Sequence, residues 1–246
     1  MEVYWLEQAE ADVPVRNDWL SAAEALRLNG MRFKKRRADW RLGRWTAKRA
    51  VAIYLDAPRD AVALSVIEIR PAPSGAPEVF YQNQPAEVCI SLSHSGGRAV
   101  CAVARPGTAV GCDLELVEER SAAFLGDYLT EEEQSLVARA FAADKPWLST
   151  LLWSAKESAL KALREGLRID TRCVIVSVEN ALERQGADGM EVWRPMHVQH
   201  SGGQIFQGWW QHTGDFVRTL VTAPAPDAPI LYTDGAAPVK GMRQNL

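Results

Sequence analysis

Residues 146–166 read PWLSTLLWSAKESALKALREG, and the reading of the fold starts there. Apolar residues recur at helical spacing. Pro146 near the start and Gly166 near the end are the asymmetry that helices favour. Strand-like segments follow, CVIVSVEN, EVWRPMHVQH, QIFQGWWQH and FVRTLVTAP, separated by Gly, Ser and Asp turns. The same order appears upstream. A first strand fits residues 2–7 (EVYWLE), and from Trp19 to Tyr54 the chain reads as helical. Ser21 and Glu24 form a capping box there, and Trp40, Trp45, Ala47, Val51, Tyr54 and Leu55 fall at helical spacing. Residues 62–70 (VALSVIEIR) alternate like a strand, and PAPSGAP is turn-rich. VCISLSHS and RAVCAVARPG form a hairpin through SHSGG. AVGCDLELV is a further strand ending in acids, and TEEEQSLVARAFA a further helix capped by Thr130. Helix followed by strands therefore occurs twice, over 20–110 and 130–222. This predicts an α+β fold of two similarly built halves, although no obvious sequence repeat accompanies it.

Composition narrows the function classes. The 246 residues are 47% hydrophobic and 24% charged, as in soluble globular proteins, and long enough for a sizeable core. A formal net charge of -3 lacks the basic excess of nucleic-acid binders. The start, MEVYWLEQAEADVP, has acids where a secretory leader needs positive charge, and no apolar run is long enough to span a bilayer. Cys89, Cys101, Cys112 and Cys173 form no CxxC pair and read as reduced core thiols of a cytoplasmic protein.

Four clusters carry chemistry. Asp113 and Glu115 in GCDLE stand at i and i+2, which puts both on one face of a strand. With Glu157 of the 146–166 helix they would make an oxygen-rich site for a hard cation such as magnesium. Lys156 and Lys161 flank Glu157. Either they pair with acids on the helix surface or they neutralise a diphosphate. Ser91-Leu92-Ser93-His94-Ser95-Gly96-Gly97 offers hydroxyls, an imidazole and turn N–H groups to phosphate. Arg32-Phe33-Lys34-Lys35-Arg36-Arg37, followed by Arg41, Arg44, Lys48 and Arg49, is the one strongly basic run. Alone it does not choose among solvent, phosphate, membrane and nucleic acid. Stacking of bases on Trp40 and Trp45 is disfavoured by the net charge and by a helical spacing that buries both rings.

In order, SLSHS, GCDLE and WSAKESALK resemble the signature of the Sfp-type 4′-phosphopantetheinyl transferases, S-x-S-H-S, G-x-D-x-E and W-x-x-K-E-S/A-x-x-K. The resemblance runs over residues 30–170 and includes the basic segment with Gly43-Arg44. It implies two pseudo-symmetric α+β halves with the active site in the cleft between them. The expected division is 1–112 for coenzyme A phosphate contacts, 113–222 for the metal site and carrier contacts, and 223–246 for a proline-rich tail. Asp113, Glu115 and Glu157 would hold Mg²⁺. Glu157 and Lys161 would be catalytic, with Glu157 or a water on the metal taking the serine proton. Ser93, His94, Lys156 and Lys161 would contact coenzyme A phosphates, and Arg37 and Arg44 its 3′-phosphate. The implied reaction moves phosphopantetheine from coenzyme A to a serine of an acyl or peptidyl carrier protein of fatty acid, polyketide or nonribosomal peptide synthesis. Adenosine 3′,5′-bisphosphate is released. The enzyme is expected to be a cytoplasmic monomer without nucleic-acid or membrane partners, and the basic run to steer acidic carriers. Two positions depart from the family pattern. Ala76 stands where Gly-Lys-Pro usually has lysine, and the acid of the next helix, among Glu131, Glu132 and Glu133, is placed at Glu132. A non-catalytic protein binding coenzyme A on the same site is the main rival.

Overall fold

The computed structural model describes residues 1–178 and 192–232. Strand β1 (Tyr4–Ala9) opens the chain, followed by helices α1 (Ala22–Asn29), α2 (Lys34–Tyr54) and α3 (Ala61–Ser65). Then come β2 (Ile67–Pro71), β3 (Pro77–Tyr81), β4 (Gln84–Pro85), β5 (Cys89–Ser95), β6 (Arg98–Ala104) and β7 (Ala109–Leu116). The second series is α4 (Ala122–Tyr128), α5 (Glu131–Arg139) and α6 (Lys145–Ala162), then β8 (Val174–Ser177), β9 (Arg194–His200), β10 (Ile205–Thr213), β11 (Phe216–Ala223) and β12 (Ile230–Leu231). One sheet has the order β12-β1-β6-β5 and another β7-β11-β10-β9-β8, while β2-β3-β4 form a small third sheet. The fold is α+β.

Strand alternation sorts the apolar residues into layers. Leu6, Cys101 and Val103 face α2, where Ala47, Ala50 and Val51 are buried. Val217 and Val221 face α6 with Leu151, Leu152, Ala155 and Ala159. Val3, Trp5, Val100, Ala102, Val110, Cys112, Leu114 and Leu220 pack between the two large sheets. Both faces of β6 are therefore covered, and its sequence is continuously apolar for that reason. A polar tie crosses the same interface. Arg218 of β11 grips Glu7 of β1 through two bonds of 2.6 and 2.9 Å, and Arg98 adds a third at 3.0 Å.

The helices of the two halves are anchored alike. Trp45-Thr46-Ala47-Lys48 on α2 matches Trp153-Ser154-Ala155-Lys156 on α6, so a short internal repeat is present after all. In the first half Ser21 and Glu24 make the expected capping box of α1. Glu24 also meets Lys48 at 2.5 Å, and Lys48 Nζ donates to the carbonyls of Trp19 and Leu64. In the second half Thr130 and Glu133 cap α5. Glu133 meets Lys156 at 2.9 Å, and Lys156 Nζ donates to the carbonyls of Thr171 and Val174. Both glutamates also accept a strand N–H, from Ile69 and Val176. Each ammonium is fully buried with its three donors used, the condition under which a buried charge is tolerated.

Several expectations need correction. The alternation in 62–70 does not make one strand, because Asp60 accepts from the N–H groups of Val62 and Ala63 and starts α3. The 19–54 helix is two helices, broken at 30–33. The division at 112/113 runs through β7. Part of the 223–246 tail returns as β12 beside β1, while residues 233–246 lie outside the described residues, as does the end of the CVIVSVEN segment.

Candidate active site

Gly111 sets the geometry. A Cβ there would lie 1.8 Å from the Ser158 carbonyl oxygen, so only glycine lets α6 press onto β7. Asp113 and Glu115 follow at i+2 and i+4, on the α6 side of the strand as their spacing predicts. On α6, Trp153, Glu157 and Lys161 stand four residues apart, one stripe of the helix. Lys161 Nζ reaches Asp113 Oδ1 at 2.7 Å and donates to the Cys112 carbonyl. Trp153 Nε1 donates to Glu115 Oε1 at 3.2 Å, and Arg120 approaches the other oxygen at 3.7 Å.

The serines of β5 join the two halves. Ser91 Oγ accepts from the Cys112 N–H and Ser95 Oγ from the Leu116 N–H, while Ser93 Oγ donates to Asp113 Oδ1 at 2.6 Å. Side-chain hydroxyls at alternate positions thus stand in for a ladder between the adjacent edges of two sheets. Ser93 spends its proton on Asp113. His94, on the opposite face of β5, borders a hollow with Phe33, Lys35, Arg36, Asp39 and Trp40.

Charge is concentrated at this point. Burial, then the Asp113 charge, pushes Glu115 up to about 7 against the opposing pull of Arg120, Trp153 and Lys161. Burial raises Glu157 as well, with Asp113 adding to it and Lys161 opposing. For Lys161 burial favours the neutral form, but Asp113, Cys112 and Glu157 together outweigh it and the net direction is up. Asp113 is 3% exposed, and its Oδ2 has no hydrogen-bond partner among the described residues.

No group of three or more His, Cys, Asp or Glu side chains among the described residues is arranged to hold a metal ion. Asp113, Glu115 and Glu157 are therefore neighbours by charge without forming a ready ligand set, since Lys161, Ser93, Trp153 and Arg120 hold two of them. The residues nonetheless fit a hard divalent cation. A buried carboxylate oxygen lacks a partner, and two adjacent carboxyls are held up by burial and by its charge.

Beside Lys161 opens a cavity of about 350 Å³ between the halves. Arg44, Arg70 and the 74–77 turn line it from the first half, and Lys161, Arg164 and Gly166 from the second. Arg44, expected at a phosphate, is on this wall. Burial lowers it to about 10 despite the Glu24 charge 3.9 Å away.

One expected ligand contact is not available, and a second cation is partly committed to the fold. Lys156 is fully buried in the Glu133 clamp, with no donor left for coenzyme A. Arg37 donates to the carbonyls of Leu28 and Met31 and closes the end of α1. At the start of α5, Glu133 is the buried cap, while Glu132 is exposed. Arg70 and Arg164 line the cavity without having been singled out, while Lys35 and Arg36 of the basic run border the hollow beside His94. A cation's exposure to a cavity leaves no local signal in the sequence. The four cysteines are free, as expected, and burial raises the Cys112 thiol to about 11. Among the described residues no helix is long and apolar enough to cross a membrane.

Residues 109–199 match the model of the 4′-phosphopantetheinyl transferase superfamily. No curated protein matches the chain. The match begins at the first residue of β7 and takes in Gly111, Asp113, Glu115, Glu157 and Lys161. The match agrees with the resemblance of the motifs. That superfamily uses coenzyme A as substrate and acts on carrier protein domains.

Proposed function

We propose that this protein transfers the phosphopantetheine arm of coenzyme A to a serine of an acyl or peptidyl carrier protein, with Mg²⁺ as cofactor. The observation that carries the reading is the Asp113–Lys161 pair with Glu157 beside it, at a cleft whose cations come from both halves. Asp113, Glu115 and Glu157 would hold Mg²⁺. Bound there, the ion offsets the charge that builds on the diphosphate.

The carrier serine oxygen attacks the phosphorus bearing pantetheine. The bond to the bridging oxygen breaks, and adenosine 3′,5′-bisphosphate leaves with that oxygen. Lys161, one-quarter exposed toward the cleft, neutralises the attacked phosphate and the leaving group. Glu157 takes the serine proton, a role helped by burial that makes it a stronger base than a solvated carboxylate. Arg44, Lys35 and Arg36 are the cations available for the 3′-phosphate, with the His94 ring as a further hydrogen-bonding group. Lys156 has no part in binding.

The test is incubation with coenzyme A, Mg²⁺ and apo carrier proteins of fatty acid, polyketide and nonribosomal peptide synthesis. A mass gain of one phosphopantetheine on the serine, lost when Mg²⁺ is chelated, is expected. Binding of coenzyme A with no modification of any carrier would overturn the reading in favour of a non-catalytic binder.

A further inference from the structure

Helix α6 ends in a hydrogen-bond pattern that normally calls for glycine. The Glu165 N–H bonds the Leu160 carbonyl and the Arg164 N–H bonds the Lys161 carbonyl, the paired closure of a Schellman motif. The residue at the left-handed position is Arg164, with φ 60°. A side chain there is strained relative to glycine. Arg164 gains nothing visible in exchange. It is exposed, and among the described residues its side chain has no hydrogen bond, ion pair or ring contact.

Two of the other three cations of the cavity wall are hydrogen-bonded, and the third, Arg44, has a counter-charge nearby although its Nε is unpaired among the described residues. Arg70 bonds Glu68 and Asn83, Arg44 lies near Glu24, and Lys161 holds Asp113. The facing 74–77 turn, Ser-Gly-Ala-Pro, carries no charge of its own. Strain kept at an unpaired cation beside a cavity points to a ligand. Position along the helix says which part of the ligand. Glu157, Lys161 and Arg164 follow one another toward the helix end. With the reacting phosphate at Glu157 and Lys161, the cavity beyond Lys161 is lined by Arg44, Arg70 and Arg164, which suits the phosphate-bearing adenosine end better than the uncharged pantetheine arm.

We propose that Arg164 is a substrate-binding residue whose guanidinium holds a phosphate on the adenosine portion of coenzyme A. The inference rests on the reading of this cleft as the coenzyme A site. Two measurements on Arg164→Gly and Arg164→Lys in the full chain test it: thermal melting, and calorimetric titration with adenosine 3′,5′-bisphosphate and with coenzyme A. For Arg164→Gly the melting temperature should rise by about 2–4 °C, because the strain is relieved. Its affinity for both ligands should fall by about tenfold or more, the scale of a charge-assisted phosphate contact. Arg164→Lys should fall between. Binding by Arg164→Gly within about twofold of the parent overturns the inference alone. So does a lower melting temperature together with weaker binding, which would mark a structural role. A folded parent that binds neither ligand overturns the reading of the cleft, and this inference with it.

Discussion

The two halves carry nearly the same four residues at the centre of their main helices and put them to the same use. Trp45 to Lys48 and Trp153 to Lys156 each deliver a buried lysine to a capping-box glutamate. One residue later the halves part. The first half has Arg49, which lies over the Trp45 ring, and the second has Glu157. One turn further, Ile53 is core in the first half, while Lys161 reaches Asp113 in the second. The shared part fastens each helix to its sheet, while in the second half the divergent part carries Lys161 to the cleft. Conserving the clamp lets neighbouring positions change chemistry without loosening the fold.

The comparison can be broken at its divergent positions first. Asp113→Ala or Glu157→Ala should reduce carrier modification by about 10³-fold or more, the scale of removing a dedicated transition-state stabiliser. Circular dichroism and melting should remain close to the parent. Near-normal turnover of either variant with Mg²⁺ would end the assignment.

The shared positions come next. Lys48→Met and Lys156→Met each leave a buried glutamate without its counter-charge. Denaturant unfolding should show losses of about 3–5 kcal/mol in both. Equal losses would sharpen the equivalence of the halves. A stable Lys156→Met that had lost coenzyme A affinity would return that lysine to the ligand.

The tie between the halves is smaller. Burial raises the Glu7 carboxyl, but Arg218 and then Arg98 outweigh it, and the net direction is down from its ordinary value of 4.5. Its contribution is therefore complete above 4.5 and is lost as pH falls through the lowered value. At neutral pH, Glu7→Gln should cost about 1–2 kcal/mol. Parent and variant should converge in acid, because a protonated Glu7 resembles glutamine. A difference that persists in strong acid would count against the ion pair.

The cation site is the mildest case. Burial, then the Asp113 charge, holds Glu115 near 7, and as a proposed Mg²⁺ ligand it would have to lose its proton to bind. Mg²⁺ affinity, followed by calorimetry, should weaken by up to about tenfold per pH unit below that value and level off above it. A flat profile between pH about 5 and 8 would remove Glu115 from the ligand set.

Much of this was legible residue by residue. The alternation in GCDLE placed Asp113 and Glu115 on one face because strand periodicity needs no partner to be read. The capping boxes at Ser21 and Thr130 are likewise local, since the N3 glutamate bonds the start of its own helix. Residues 62–70 misled because a five-residue helix has too few turns to show its period, so the alternation of the following strand dominated. The internal repeat escaped notice because few positions outside the clamp are alike.

By itself the sequence determined the α+β order of elements, the helix starts and the pairing of acids on β7. These follow from spacing and from hydrogen bonds spanning a few residues. The tertiary structure decided which charges are free to act. Lys156 and Lys161 look alike on paper, five residues apart on one helix. One is closed in by Glu133 and two carbonyls, while the other opens on the cleft beside Asp113. Arg37 and Arg164 differ too, one bonded through Nη1 to carbonyls at the end of α1 and one at a strained helix end with no side-chain partner among the described residues. Whether a cation supports the fold or meets a ligand depends on which distant groups satisfy its donors, and only packing brings those groups together.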